Sequence, residues 1–191
     1  MNSIAIFASG SGTNAENIIK YFSNRKTAKV ALVLSNNPEA YVLKRSARHN
    51  VPAVIFDRHD FYDTGKVLRI LEDYDIKYIV LAGFLWLVPG NILQKYRNRI
   101  VNIHPALLPD FGGKGMYGDR VHRAVIKSGV RESGITIHLV DEVYDNGRIL
   151  FQARCPVSSD DTPKSLAAKV HELEYRYYPE VIEKLITEES D

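Results

Sequence analysis

The chain has 191 residues, 45% of them apolar, enough to bury one good core and most simply expected to form a single domain over residues 1–191. Its 25 lysines and arginines face 23 carboxylates, mixed along the chain, which excludes the basic footprint of a nucleic-acid or anionic-membrane binder. The one cysteine, Cys155, can form no internal disulfide and sits in an apolar run, so a buried structural thiol is expected.

In chain order, Ile4 to Ala8 reads as a buried strand. It begins so close to Met1 that no basic leader and apolar signal segment is expected, and a cytoplasmic location follows. An amphipathic helix over Ala15 to Phe22 comes next, then buried strands at Val30 to Ser35 and Ala53 to Phe56. Val67 to Tyr74 has helical spacing and Tyr78 to Ala82 reads as another buried strand. The longest apolar stretch, Tyr78 to Val88, is too short to span a bilayer. This alternation predicts an α/β fold, a mostly parallel sheet with helices on both faces. Beyond the strand that ends at His104, a Gly-rich stretch, Phe111 to Gly118, leads into a short helix around Val121 to Lys127. Strands at Gly134 to Val140 and Arg148 to Cys155 flank Asp145-Asn146-Gly147, a hairpin signal that predicts antiparallel pairing. A final helix, about Lys164 to Ile186, is expected to be interrupted at Pro179, and the chain finishes on an acidic run, Glu188 to Asp191.

Three polar elements punctuate this scaffold. Asn102 and His104 lie two residues apart at the end of a strand, so they share a face while Ile103 points away, and Pro105 stops the ladder. An amide and a protonated imidazole at that place can both donate to a developing oxyanion, and the imidazole can also move a proton. The turn Ser9-Gly10-Ser11-Gly12-Thr13-Asn14 joins the first strand to the first helix, and the unpaired amides there suit an anion. A dinucleotide site would also want a carboxylate after the second strand. Leu34-Ser35-Asn36-Asn37 offers none, which favours a phosphate monoester. The competing reading is a glycine turn with ordinary Ser or Thr capping. Asp145 reads locally as a turn residue; it becomes functional if its loop folds over the end of the Asn102 strand, where a carboxylate would hold the imidazole and favour its protonated form.

Together with Leu81-Ala-Gly-Phe84, Asn102-Ile-His-Pro-Ala-Leu-Leu-Pro109, Gly134-Ile-Thr-Ile-His138 and Glu174 before Tyr178-Pro179, these elements resemble the folate-dependent phosphoribosylglycinamide formyltransferase family, over essentially the whole chain. The resemblance implies a Rossmann-like formyltransferase fold and formyl transfer from 10-formyltetrahydrofolate, as cosubstrate, to glycinamide ribonucleotide in de novo purine synthesis. It implies Asn102, His104 and Asp145 as the catalytic trio, Gly12, Thr13 and Asn14 on the nucleotide phosphate, and Glu174 on its ribose or glycinamide end. The pterin would lie against Leu85, Trp86, Leu87 and Val88, with Asn102 touching the formyl group and Arg58 near the folate tail. No metal is expected, since the candidate ligands lack metal-binding spacing. Partners are expected to be small molecules, with no nucleic acid and no membrane, the protein acting as a monomer or homodimer. The other histidines, His49, His59, His122, His138 and His171, read individually as structural or exposed, with His138 the one to reconsider because it shares a strand face with Thr136.

Departures from the family pattern are Ala106 in place of a usual serine, Trp86 in place of a common arginine, and a longer loop from Phe111 to Arg120. Related readings are a formyltetrahydrofolate hydrolase, which would share the trio, and other amine formyltransferases such as the methionyl-tRNA enzyme, which adds a tRNA-binding domain. A non-catalytic phosphate or nucleotide sensor would need only the Ser9 to Asn14 turn. It gives no reason for the trio.

Overall fold

The structure, a computed structural model, describes residues 1–188. Of the acidic run at the end of the chain, residues 189–191 lie outside the described residues. Its elements in order are β1 (Asn2–Phe7), α1 (Thr13–Ser23), β2 (Ala28–Ser35), α2 (Val42–Arg48), β3 (Ala53–Ile55), α3 (Arg58–Tyr62), α4 (Lys66–Asp73), β4 (Tyr78–Leu81), α5 (Gly90–Lys95), β5 (Ile100–His104), α6 (Asp119–Ser128), β6 (Glu132–Leu139), β7 (Ile149–Pro156) and α7 (Pro163–Glu188).

The strands form one sheet in the order β3-β2-β1-β4-β5-β6-β7. Pairing is parallel from β3 to β5 and antiparallel from β5 through β7. Alternation along each strand feeds two cores. Ile6, Val80, Val101 and Ile137 pack toward α1, α6 and α7, while Phe7, Leu34, Ile79 and Ile100 pack toward α3, α4 and α5. The fold is therefore the expected mostly parallel, Rossmann-like sheet with an antiparallel carboxy-terminal pair. Because β1 has β2 on one side and β4 on the other, a crevice opens at the carboxyl ends of β1 and β4, the place where such sheets hold ligands.

Two expectations need correction. The composition of Ala53 to Phe56 predicts a buried strand, yet β3 is the edge of the sheet, covered on one flank only, and Ile55 is 50% exposed. The final helix is not interrupted at Pro179: α7 runs through it. A helical proline deprives the carbonyl four residues earlier of its partner. Here that carbonyl, on Tyr175, accepts from the Asn17 side chain at 2.8 Å. The residue just before the proline, Tyr178, is fully buried, and its hydroxyl sits 2.9 Å from the Leu81 carbonyl and 3.1 Å from that of Val101. It thereby braces the ends of β4 and β5. Helices α2, α3 and α5 have only 7, 5 and 6 residues, too short for a hydrophobic period to announce them.

Candidate active site

The crevice is a cleft of about 630 Å³, walled by the turn after β1, the segment after β4, the end of β5 and the loop before α6. At one end lies the Ser9 to Asn14 turn. Its carbonyls are engaged from behind: Ser9 by Asn37 Nδ2 at 3.3 Å, Gly10 by Val42 N at 3.1 Å, Ser11 by Arg45 Nε at 2.9 Å and Gly12 by Glu16 N at 2.9 Å. Helix α1 begins on Gly12 with no side-chain cap. The ordinary capping reading is therefore wrong here, and the first-turn amides remain available to an anion. Gly12 has φ 73°, and a Cβ there would run into Val42. Glycine is thus demanded by α2 as well as by any ligand, so Gly12→Val tests the backbone before it tests binding.

Next to this turn, Glu174 is 5% exposed and its Oε2 accepts from Asn14 Nδ2 at 2.8 Å and His171 Nδ1 at 2.9 Å. The bond to Glu174 raises the His171 pKa, whereas burial first, then His171, lowers that of His122. Asn14 Oδ1 and His122 Nδ1 are buried in the cleft wall without a protein partner. His122, His138 and His171, read singly as structural or exposed, all line the cleft. Only their position after folding reveals this, because each sits at a spacing that a core or surface histidine would share.

At the other side Asn102 and His104 leave β5 on one face, as alternation requires. Thr136, opposite His104 in β6, secures the chain that follows: its hydroxyl donates to Ala106 O at 2.7 Å and accepts from Leu108 N and Gln152 Nε2, both at 2.9 Å. The β6–β7 connection folds back so that Asp145 Oδ2 lies 3.5 Å from His104 Nδ1. This distance allows strong charge interaction but is too long for a direct hydrogen bond. Asp145 Oδ2 also accepts from Gly113 N at 2.9 Å, and His104 Nε2 lies 2.8 Å from the Phe111 carbonyl. A carbonyl only accepts, so Nε2 carries the ring proton and Nδ1 is the nitrogen that gains or loses one.

Burial is the largest influence on both groups. It pushes His104 below the ordinary imidazole range against the opposing pull of Asp145 and the Phe111 carbonyl. Asp145 acts in the direction expected of it, favouring the protonated ring, but desolvation outweighs it. Burial would also raise Asp145, yet His138, His104 and the Gly113 N–H together hold it below the usual carboxylate range. Near neutral pH the site therefore holds an ionised carboxylate beside a neutral ring with an open Nδ1.

The third wall is Leu85, Trp86, Leu87 and Val88, tied to the first turn by Leu85 N donating to Ser9 Oγ at 3.1 Å. Arg58 does not line the cleft. Its guanidinium stacks 5.1 Å from the rings of both Tyr62 and Trp86, one ring beyond the wall. The loop residues Gly113, Lys114, Tyr117 and Arg120 line the cleft, and the Phe111 carbonyl meets His104 behind it, without a signal in the sequence. No local pattern marks a carbonyl or amide that a loop delivers to a distant side chain. Among the described residues, no group of three His, Cys, Asp or Glu is placed to hold a metal ion, and no helix is long and apolar enough to cross a membrane.

Comparison with known proteins sets this geometry in context. The formyl transferase family profile matches residues 2–182. A chloroplastic phosphoribosylglycinamide formyltransferase of Arabidopsis thaliana is 39% identical over 94% of the chain, which spans only 63% of that relative's length. The phosphoribosylglycinamide formyltransferase of Bacillus subtilis is 32% identical, with 97% of this chain and 95% of the relative covered. The crystal structure of the Bacillus halodurans phosphoribosylglycinamide formyltransferase superposes with a TM-score of 0.87 at 37% identity, covering 97% of this chain and 95% of that one.

Proposed function

The chain belongs to the phosphoribosylglycinamide formyltransferase family, and from that premise we propose that it moves the formyl group of 10-formyltetrahydrofolate to the amine of glycinamide ribonucleotide in purine synthesis. The products are formylglycinamide ribonucleotide and tetrahydrofolate. The observation that carries this reading is the convergence of Asn102, His104 and Asp145 on one cleft with an uncapped helix start and Glu174 at its other end. The apolar wall from Leu85 to Val88, with Asn102 beside it, suits a flat pterin. A cytoplasmic enzyme working as a monomer or homodimer fits the same reading.

In this mechanism Gly12, Thr13 and Asn14 hold the phosphate through backbone amides and the Asn14 side chain, and Glu174 orients the ribose or glycinamide end. When the amine attacks the formyl carbon, the new C–N bond forms and the carbonyl oxygen becomes negative. Asn102 donates an N–H to that oxygen. The amine proton passes to His104 Nδ1, directly or through a water held by Asp145, and the imidazolium so formed sits beside a carboxylate that stabilises it. His104 then delivers the proton to the departing folate nitrogen as its bond to the formyl carbon breaks. A neutral resting ring suits this sequence, because His104 must first accept a proton.

Turnover with glycinamide ribonucleotide, compared with water or a simple amine as acceptor, tests the reading. Rapid formyl transfer to the nucleotide is expected; hydrolysis at an equal rate with and without it would point instead to a hydrolase. Inorganic phosphate is expected to compete with the nucleotide and not with folate. Asn14→Ala should raise the nucleotide KM about 10- to 100-fold with little change in kcat, the scale of a lost hydrogen bond to a charged group. An unchanged KM would remove Asn14 from the phosphate site. Arg58→Ala should weaken binding of a formyl folate carrying its glutamate tail about 10-fold or more, and leave a tail-less pteroate donor unaffected. Equal effects on the two donors would remove Arg58 from the tail.

A further inference from the structure

His138 has no part in the steps above, yet it is 2% exposed and faces two of the groups that do. Antiparallel register sets it directly opposite Asn102 across β5 and β6, which puts both side chains on one face within reach of each other. On its other flank the β6–β7 register shifts between Ile137 and His138, a local irregularity of the kind that re-aims a side chain beside a site.

The ring's proton is fixed from behind. Nδ1 lies 2.8 Å from the carbonyl oxygen of Leu139, which can only accept, so Nδ1 bears a hydrogen, and in the neutral ring Nε2 presents a lone pair. Gly147 permits the chain to pass close to that same oxygen, where a Cβ would collide with it. Nε2 faces Asn102 Nδ2 at 3.1 Å and Asp145 Oδ1 at 3.6 Å. The first distance is a hydrogen bond and the second is not. A lone pair needs a donor, so it takes one N–H of the Asn102 amide; with the amide turned over, two acceptors would face each other. Asn102 in the bonded orientation keeps a second N–H and its oxygen for a ligand.

We propose that His138 is a positioning residue for formyl transfer, its Nε2 lone pair selecting the one orientation of the Asn102 amide in which the nitrogen, rather than the oxygen, serves the developing oxyanion. The consequence for rate rests on the formyl-transfer reading. The pairing of ring and amide does not.

Two measurements test it. Nitrogen-15 NMR of the unmodified, substrate-free protein should show a pyrrole-type Nδ1 and a pyridine-type Nε2 on His138; the opposite tautomer overturns the proposal whatever the activity. In kinetics, His138→Phe keeps a ring but removes the acceptor. It should lower kcat roughly 10- to 100-fold, less than outright loss of an oxyanion donor, with both KM values within about 3-fold of the parent. His138→Gln, which can supply an oxygen near the Nε2 position, should recover most of that loss. In an Asn102→Ala background, His138→Phe should cost less than about 2-fold, because the group it positions is gone. A parental kcat in His138→Phe, or an equal loss with and without Asn102, overturns the proposal. Should the Phe variant not fold, the tautomer and the Gln variant decide. If the unmodified protein fails to formylate glycinamide ribonucleotide, the functional reading falls and the spectrum still judges the pairing.

Discussion

Asp145→Asn is expected to fold as the parent does and to lose about 100- to 10,000-fold of turnover, the range for removal of an acid–base partner. Asp145 occupies a left-handed backbone conformation, φ 54°, which Asn tolerates better than most residues. An Asn oxygen can also still accept from Gly113 N. What disappears is the charge 3.5 Å from His104 Nδ1. Since Asp145 raises the His104 pKa against the stronger lowering by burial, its loss must lower that pKa further. The acid limb of the kcat/KM profile, where the ring takes up a proton and stops acting as a base, should move to lower pH. Stability gives a second sign. The native Asp145 pKa lies below its ordinary value, so its carboxylate contributes stability above about pH 4 that is lost as pH falls through the native value. The stability difference between parent and Asn variant should shrink in that acid window. A fully active but poorly folded Asn variant, or an acid limb displaced upward, would show that Asp145 only makes a turn.

His104→Ala should lower turnover by roughly 100- to 10,000-fold, the range for loss of the group that takes the proton from the amine and returns it to the leaving nitrogen. Its ring is 3% exposed and held between the Phe111 carbonyl and Asp145. Removing it leaves a cavity beside the cleft and the Phe111 carbonyl without its donor, a stability cost of about 1–3 kcal/mol. Turnover should therefore be measured well below the melting transition. Both KM values should change little, because the Ser9 to Asn14 turn and the Leu85 to Val88 wall are separate from His104. Near-parental turnover would remove His104 from the chemistry.

The parts of the site that depend on local geometry were legible in the sequence. Strand alternation alone puts Asn102 and His104 on one face, and glycines ahead of an amphipathic helix mark the Ser9 to Asn14 turn. What depends on pairing between distant segments was not. The Asn146-Gly147 signal announced the β6–β7 pair, but nothing local announced that β6 would also pair antiparallel with β5. That second pairing is what opposes His138 to Asn102. Likewise the strand order makes β3 an exposed edge, and a partner 158 positions away, Asn17, lets α7 continue through Pro179. The resting state of His104 was not legible, because the sequence displays the carboxylate partner and conceals the extent of burial, and burial is the larger effect. Trp86, a departure from the family's common arginine, proves to be one of two rings stacked on Arg58.

The most direct test of the central claim follows the formyl carbon itself. With 10-formyltetrahydrofolate labelled at that carbon and glycinamide ribonucleotide present in a single turnover, the label should appear on the nucleotide amine as tetrahydrofolate is released, with negligible free formate. Label recovered as formate at the same rate whether or not the nucleotide is present would contradict the account, since the cleft would then serve water rather than the amine.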